Sequence, residues 1–114
     1  MANQLGIYGE QQAAQYFLSR GGIILGRNVR YNCGEIDLIV QMGGEVVFVE
    51  VKTRSSWDFG AAESVTPRKF TRMKRAAAAW LEGQPYRSVR FDVWVYVVDK
   101  GAVEHYEGID GGAS

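Results

Sequence analysis

Cysteine is almost missing from this chain, since Cys33 is the only one. A single thiol excludes an intramolecular disulfide framework and the paired-cysteine zinc sites, and it favours a reducing compartment over a secreted one. Net charge is missing too, because 13 Lys and Arg balance 13 Asp and Glu. That composition argues against a strongly basic nucleic-acid-binding domain, so a site for a polyanion has to be a local patch. No run reaches the roughly 18 apolar residues of a membrane span. The opening MANQLGIYGE lacks the basic-then-apolar layout of a secretory leader. The expectation is a cytoplasmic protein with no membrane partner.

What is present fits one globular domain: 114 residues, 46% hydrophobic and 23% charged. Folding at this length hides roughly two thirds of the chain's surface, enough for a core without staples. A second domain does not fit. The sequence predicts one domain over 1–107 and a frayed tail, GIDGGAS, over 108–114. Charge is segregated along it: residues 1–90 hold 12 basic and 8 acidic side chains, and residues 91–114 hold 1 and 5.

Leu5, Gly9, Ala13, Tyr16 and Phe17 recur at helical spacing, which predicts a first helix over 5–19 ended by Gly21-Gly22. IILGRNVRY (23–31) reads as a strand in which Gly26 and Asn28 mark a bulge. EIDLIVQ (35–41) and EVVFVEVKTR (45–54) flank Met42-Gly43-Gly44, the pattern of a hairpin. Residues 55–65 read as a loop. Thr66-Pro67 then supplies a cap and a first-turn proline for a second helix, whose apolar stripe is Phe70, Met73, Ala76, Ala77, Trp80 and Leu81. VRFDVWVYVVD (89–99) and AVEHY (102–106) close the chain as strands.

If Gly43 and Gly44 form a two-residue turn, facing residues have numbers that sum to 87. Val40 then meets Val47, Leu38 meets Val49 and Ile36 meets Val51 on a wholly apolar face. On the other face Ile39 meets Phe48, Asp37 meets Glu50 and Glu35 meets Lys52. Directly opposed Cβ atoms sit about 4.5–5.5 Å apart, so the two acids share one small site with Lys52 two residues on. Two acids beside a lysine suit a metal-dependent nuclease. Mg²⁺ prefers hard carboxylate oxygens and keeps waters, one of which can become a nucleophile, while a lysine offsets charge on a phosphate. A salt-bridged cluster at the sheet rim gives the same pattern, and spacing alone leaves both readings open.

GEIDLI (34–39) followed by FVEVKTR (48–54) resembles the YraN family of bacterial proteins. That family looks like part of the restriction-endonuclease-like PD-(D/E)xK nuclease superfamily and is similar to archaeal Holliday-junction resolvases. The likeness includes Gly6, Gly9-Glu10 and Ala13-Ala14, then Arg27-Asn28 and Arg30. Further on it takes in Phe59-Gly60, Lys69 and Arg90-Phe91-Asp92. It implies a three-layer α/β fold, a mixed central sheet flanked by helices in the order α-β-β-β-α-β-β. By the same resemblance Asp37, Glu50 and the Val51 carbonyl are ligands of Mg²⁺ or Mn²⁺, and Lys52 positions or deprotonates the attacking water. Glu10 matches an acid of the first helix that joins the site in related resolvases; an ordinary first-turn glutamate is the alternative.

Arg68, Arg72 and Arg75 recur at i, i+4 and i+7, joined by Lys69 and Lys74, with no acid between residues 64 and 81. Five like charges on a short helix form either a solvated face or a phosphate-facing surface. Beside a nuclease-like site the second reading is favoured, with Lys69 foremost and Arg54 added from the strand end. Trp57 and Phe59 either stack on an unpaired base or pin the loop to the core. Trp80 and Trp94 read as core, Cys33 as structural, Glu35 as a rim partner of Lys52, and His105 as having no catalytic role. The expected activity is Mg²⁺-dependent DNA cleavage, with branched DNA and a homodimer implied by the resolvase likeness. The alternative is a non-cleaving nucleic-acid-binding module on the same fold.

Overall fold

A computed structural model describes residues 4–54, 65–85 and 88–109. Trp57, Phe59 and nearly all of the 55–65 loop lie outside the described residues, as do the side chain of Leu5 and positions 110–114. The elements run α1 (Gln4–Ser19), β1 (Ile23–Tyr31), β2 (Gly34–Met42), β3 (Glu45–Arg54), α2 (Pro67–Leu81), β4 (Ser88–Val97), a short 3₁₀ turn (Val98–Lys100) and β5 (Ala102–Tyr106). The five strands form one sheet in sequential order. Every neighbouring pair is antiparallel except β3 and β4, which α2 connects in parallel.

The two helices lie on opposite faces of the sheet, giving three layers. Ala13, Ala14 and Phe17 of α1 pack on Leu38, Val40, Val47, Val49 and Trp94. On the other face Phe70, Met73, Ala76 and Ala77 of α2 pack on Ile36, Ile39, Val46, Phe48, Val93, Val95 and Val97. The central strands read as continuous apolar runs because helices cover both their faces. This is the mixed α/β architecture of a nuclease-like fold. Thr66 caps α2 through its side-chain oxygen, which accepts from the Lys69 N–H at 3.2 Å. The cap fixes the helix start and with it the position of Lys69.

Two glycines set how closely the helices approach the sheet. A Cβ on Gly9 would collide with the Thr53 Oγ1 of β3, and one on Gly34 would collide with the Arg72 carbonyl of α2. Gly9 precedes Glu10, and Gly34 opens the strand that bears Asp37, so both contacts hold candidate site residues in place.

The hairpin turn is Gly43-Gly44, and the pairs Leu38–Val49, Ile39–Phe48 and Val40–Val47 form in the expected register. Beyond them the ladder departs from expectation. It ends at Leu38–Val49, so Ile36–Val51, Asp37–Glu50 and Glu35–Lys52 are not backbone neighbours. The cause lies in β1 and β2. A bulge separates Ile24 from Gly26, and Asn28 takes a left-handed φ of 49°, a conformation that asparagine tolerates better than most residues. Leu38 and Val40 face α1 while Ile36 faces α2, so the alternation of β2 changes phase at Asp37. β3 continues paired to β4 as far as Arg54. Its second half therefore has one edge unpaired by β2, and a fork opens in the sheet.

At the chain's end, Gly108 and Ile109 are held in place, against the expectation of fraying from residue 108. The Ile109 N–H donates to the Phe91 carbonyl at 2.8 Å, and its side chain packs against the α2-side core.

Candidate active site at the sheet fork

Asp37 sits in the fork and takes over part of the missing ladder. Its Oδ2 accepts the Val51 N–H at 2.8 Å, so a side chain satisfies a donor that β2 leaves unpaired. In an extended strand the N–H and C=O of one residue face the same edge, which places the Val51 carbonyl on this side as well. The carboxyl of Asp37 is pushed up from 3.8 to about 7. Burial is the largest cause and the charge of Glu50 the next, while the Val51 N–H opposes the rise.

Glu50 points to the α2 side and is 7% exposed. Its Oε2 meets the Lys52 ammonium at 3.0 Å and the Lys69 ammonium at 2.8 Å. One carboxylate thus clamps two cations, from strand and helix. Burial and the adjacent Lys69 lower the Lys52 pKa against the pull of Glu50. For Lys69 burial is the largest single cause and works downward, but the hydrogen bonds to Glu50 and Lys52 and the charges of Glu50 and Asp37 together outweigh it, and the net direction is up.

Glu10 approaches from the α1 side, where its Oε1 accepts from the Asn28 amide at 3.2 Å. Glu10, Asn28 and Asp37 line a cleft of about 220 Å³ between α1 and the sheet. On the opposite face Glu50, Lys69 and Arg72 line a second cleft of about 310 Å³. The fork therefore brings Asp37, Glu50, Lys52, Lys69 and the Val51 backbone together, with Glu10 at the α1-side entrance. Arg68 and Arg75 are exposed on α2, and Arg54 is partly buried at the strand end, its guanidinium turned to the Thr53 carbonyl at 3.4 Å. Glu35 does not meet Lys52. It pairs at 3.4 Å with Arg30, its partner across the β1–β2 ladder.

Among the described residues no three Asp, Glu, His or Cys side chains group tightly enough to hold an ion by themselves. The candidate donors are two carboxylates and one carbonyl. That set is hard and oxygen-only, and Mg²⁺ needs no more, because it is commonly held by one or two carboxylates with waters completing its shell.

The sequence profile of the uncharacterised protein family UPF0102 matches residues 9–96, which include every residue of this site. The chain belongs to UPF0102. This is the YraN family that the sequence resembles. A UPF0102 protein of Corynebacterium efficiens is 53% identical over 115 residues, covering 96% of this chain and 94% of its own length. One from Corynebacterium glutamicum is 49% identical, covering 96% and 93%, and one from Syntrophomonas wolfei is 43% identical, covering 89% and 90%. Among the described residues of this UPF0102 chain, no helix is long and apolar enough to cross a membrane.

A second polar cluster went unread in the sequence. Asp92 of β4 is fully buried and accepts from Arg90 at 2.9 and 3.1 Å, from the Gly108 N–H at 3.0 Å and from His105 Nε2 at 2.6 Å. An ionised Asp92 fixes the proton on Nε2, so Nδ1 accepts from the Tyr16 hydroxyl at 3.1 Å. Burial alone raises the Asp92 pKa, but His105 and Arg90 outweigh it and the net direction is down. The signal was one acid inside an otherwise apolar strand, two residues after an arginine. The cluster ties the last strand and α1 to the sheet, which gives His105 a structural task.

Proposed function

We propose that this UPF0102 protein is a metal-dependent endonuclease that hydrolyses phosphodiester bonds in DNA, acting on branched or structured DNA as a homodimer. The observation that carries the reading is the fork: an acid with its pKa near 7 beside a second acid that holds two lysines, at a break in the sheet open to both faces. Asp37, Glu50 and the Val51 carbonyl would hold the cation. When bound, Mg²⁺ or Mn²⁺ lowers the pKa of water and offsets charge on the phosphate.

The chain's own groups do the rest. The Val51 N–H holds the Asp37 carboxylate in one orientation. Glu50 holds Lys52, whose lowered pKa suits it to position the attacking water and take its proton. Lys69 stands where a phosphate would approach and offsets the charge that grows on it. Glu10 adds negative charge on the α1 side and steers the cation toward Asp37. A dimer follows from the chemistry, because one site cuts one strand and resolving a branch takes two cuts.

The test is calorimetric titration of wild type and the double variant Asp37→Ala/Glu50→Ala with Mg²⁺ and Mn²⁺, run beside cleavage of linear, flapped and four-way DNA. Cation binding and cleavage lost together in the variant is the expected result. The second reading, a DNA-binding module that does not cut, draws on the two ammonium groups already on Glu50, which compete with a cation. It predicts DNA binding without cation binding, unchanged in the double variant, since phosphate contacts from Lys and Arg supply most of the affinity.

A further inference from the structure

We propose that the cleft on the α2 side of the fork is a subsite for one unpaired nucleotide next to the scissile phosphate. The substrate class is then DNA with an unpaired base beside the cut. This rests on the nuclease reading and narrows it.

The two clefts beside the fork differ in charge. The α1-side cleft carries Glu10 and Asp37 against Arg27, which disfavours a phosphodiester strand. The α2-side cleft carries Arg30, Lys69 and Arg72 against Glu35 and Glu50. Both of those acids are already engaged, Glu35 by Arg30 at 3.4 Å and Glu50 by its two lysines. Arg72 makes no ion pair among the described residues and is exposed, so its guanidinium is available to a phosphate. A strand is therefore drawn in from the α2 side, and Glu50 marks where that cleft opens into the fork.

Tyr31 decides what else enters. It ends β1, pairs with Gly34 across the hairpin tip, lines this cleft and leaves 38% of its surface exposed. Gly34 bears no side chain that could cover the ring from across the pair, and buried Met73 supplies an apolar floor. An exposed ring among cations is the composition of sites that stack an unpaired base while holding its backbone. Within a duplex the faces of a base are covered by its neighbours, so the ring has nothing to stack on. The volume of about 310 Å³ is at the small end of ligand sites. It accommodates one nucleotide and excludes a base pair with both its sugars.

The test uses wild type, Tyr31→Ala, Tyr31→Phe and Arg72→Gln, in chelator so that nothing is cut. The probe is a DNA duplex with a single-stranded flap carrying 2-aminopurine at the first unpaired position; a fully paired duplex is the comparison. Fluorescence anisotropy reads binding, and 2-aminopurine emission reads stacking. The proposal expects Tyr31→Ala to loosen flap binding about tenfold and to raise the emission of the bound probe, the scale of one lost stack. Tyr31→Phe restores both signals, and duplex affinity stays unchanged in either variant. Arg72→Gln weakens flap binding without changing the emission of the bound probe. Flap binding and emission indifferent to Tyr31→Ala, with wild-type cleavage of the flap seen once Mg²⁺ is restored, would overturn the subsite and leave the nuclease reading standing. A wild type that binds neither DNA in chelator and cuts neither once Mg²⁺ is restored would overturn both.

Discussion

Replacing Asp37 with asparagine should make the protein more stable in alkaline solution, by an amount that vanishes in acid. The carboxyl of Asp37 is held at about 7 instead of 3.8, mainly by burial and then by Glu50. Between those two pH values the folded chain keeps a proton that the unfolded chain has already released. The sign follows from linkage: stability is full below pH 3.8, falls as pH rises through the window, and stays low above about pH 7. At full weight the loss is about 4 kcal/mol, and solvent reaching a partly exposed group reduces it to about 2 kcal/mol. An asparagine side chain would keep an oxygen to accept the 2.8 Å bond from the Val51 N–H while carrying no charge. The Asp37→Asn variant should therefore match wild type at pH 4 and exceed it by about 2 kcal/mol at pH 8, a Tm gain of about 8 °C. The assay is thermal unfolding by circular dichroism from pH 4 to 9 in chelator. The difference between the two proteins cancels the titrating groups that do not interact with Asp37, Asp92 included. A difference that does not change with pH, or an asparagine variant that melts below wild type at pH 8, would refute the electrostatic account of the fork.

Asp92→Ala removes the acceptor of Arg90, His105 and the Gly108 N–H from a fully buried position, and should cost about 3–5 kcal/mol in chemical denaturation at pH 7. Because the Asp92 pKa is lowered, its contribution is present above pH 3.8 and is lost as pH falls through the lowered value. Gly34→Ala drives a methyl against the Arg72 carbonyl, which cannot rotate away. It should cost about 1–3 kcal/mol and more than Gly9→Ala, whose obstacle is the Thr53 side chain. Lys69→Gln removes one of two ammonium groups from Glu50 and should tighten Mg²⁺ binding about fivefold by calorimetry; weaker binding would show that Lys69 does not compete for that carboxylate.

Much of the frame was legible because its signals are local. Two adjacent glycines between β-branched runs fix the hairpin turn, and once the turn is set a period of two assigns the register from Leu38 to Met42. The stripe from Phe70 to Ala77, the Thr66 cap and Pro67 define α2 without reference to any other element. Asp37, Glu50 and Lys52 were placed near one another by the same register, although their pairing takes a different form. The sequence did not disclose that the ladder stops one pair short of the acids. Periodicity assumes unbroken alternation, whereas β2 changes phase at Asp37, opposite the left-handed Asn28 of β1. The local signs were Gly26 and Asn28 inside a strand, which marked the bulge but not its effect on the ladder.

The sequence by itself determined the order of the elements, their periods and which residue types could do chemistry, because propensity and alternation act between near neighbours. Tertiary structure alone decided the partners. Lys69 reaches Glu50 across 19 positions, Asn28 reaches Glu10 across 18 and His105 reaches Asp92 across 13. The first two contacts depend on the depth at which each helix seats on the sheet, set by Gly34 against Arg72 and Gly9 against Thr53, and the third on the pairing of β5 with β4. Steric fit between elements distant in the chain leaves no periodic trace, and so the fork with its pair of lysines on one carboxylate exists only once the layers are packed.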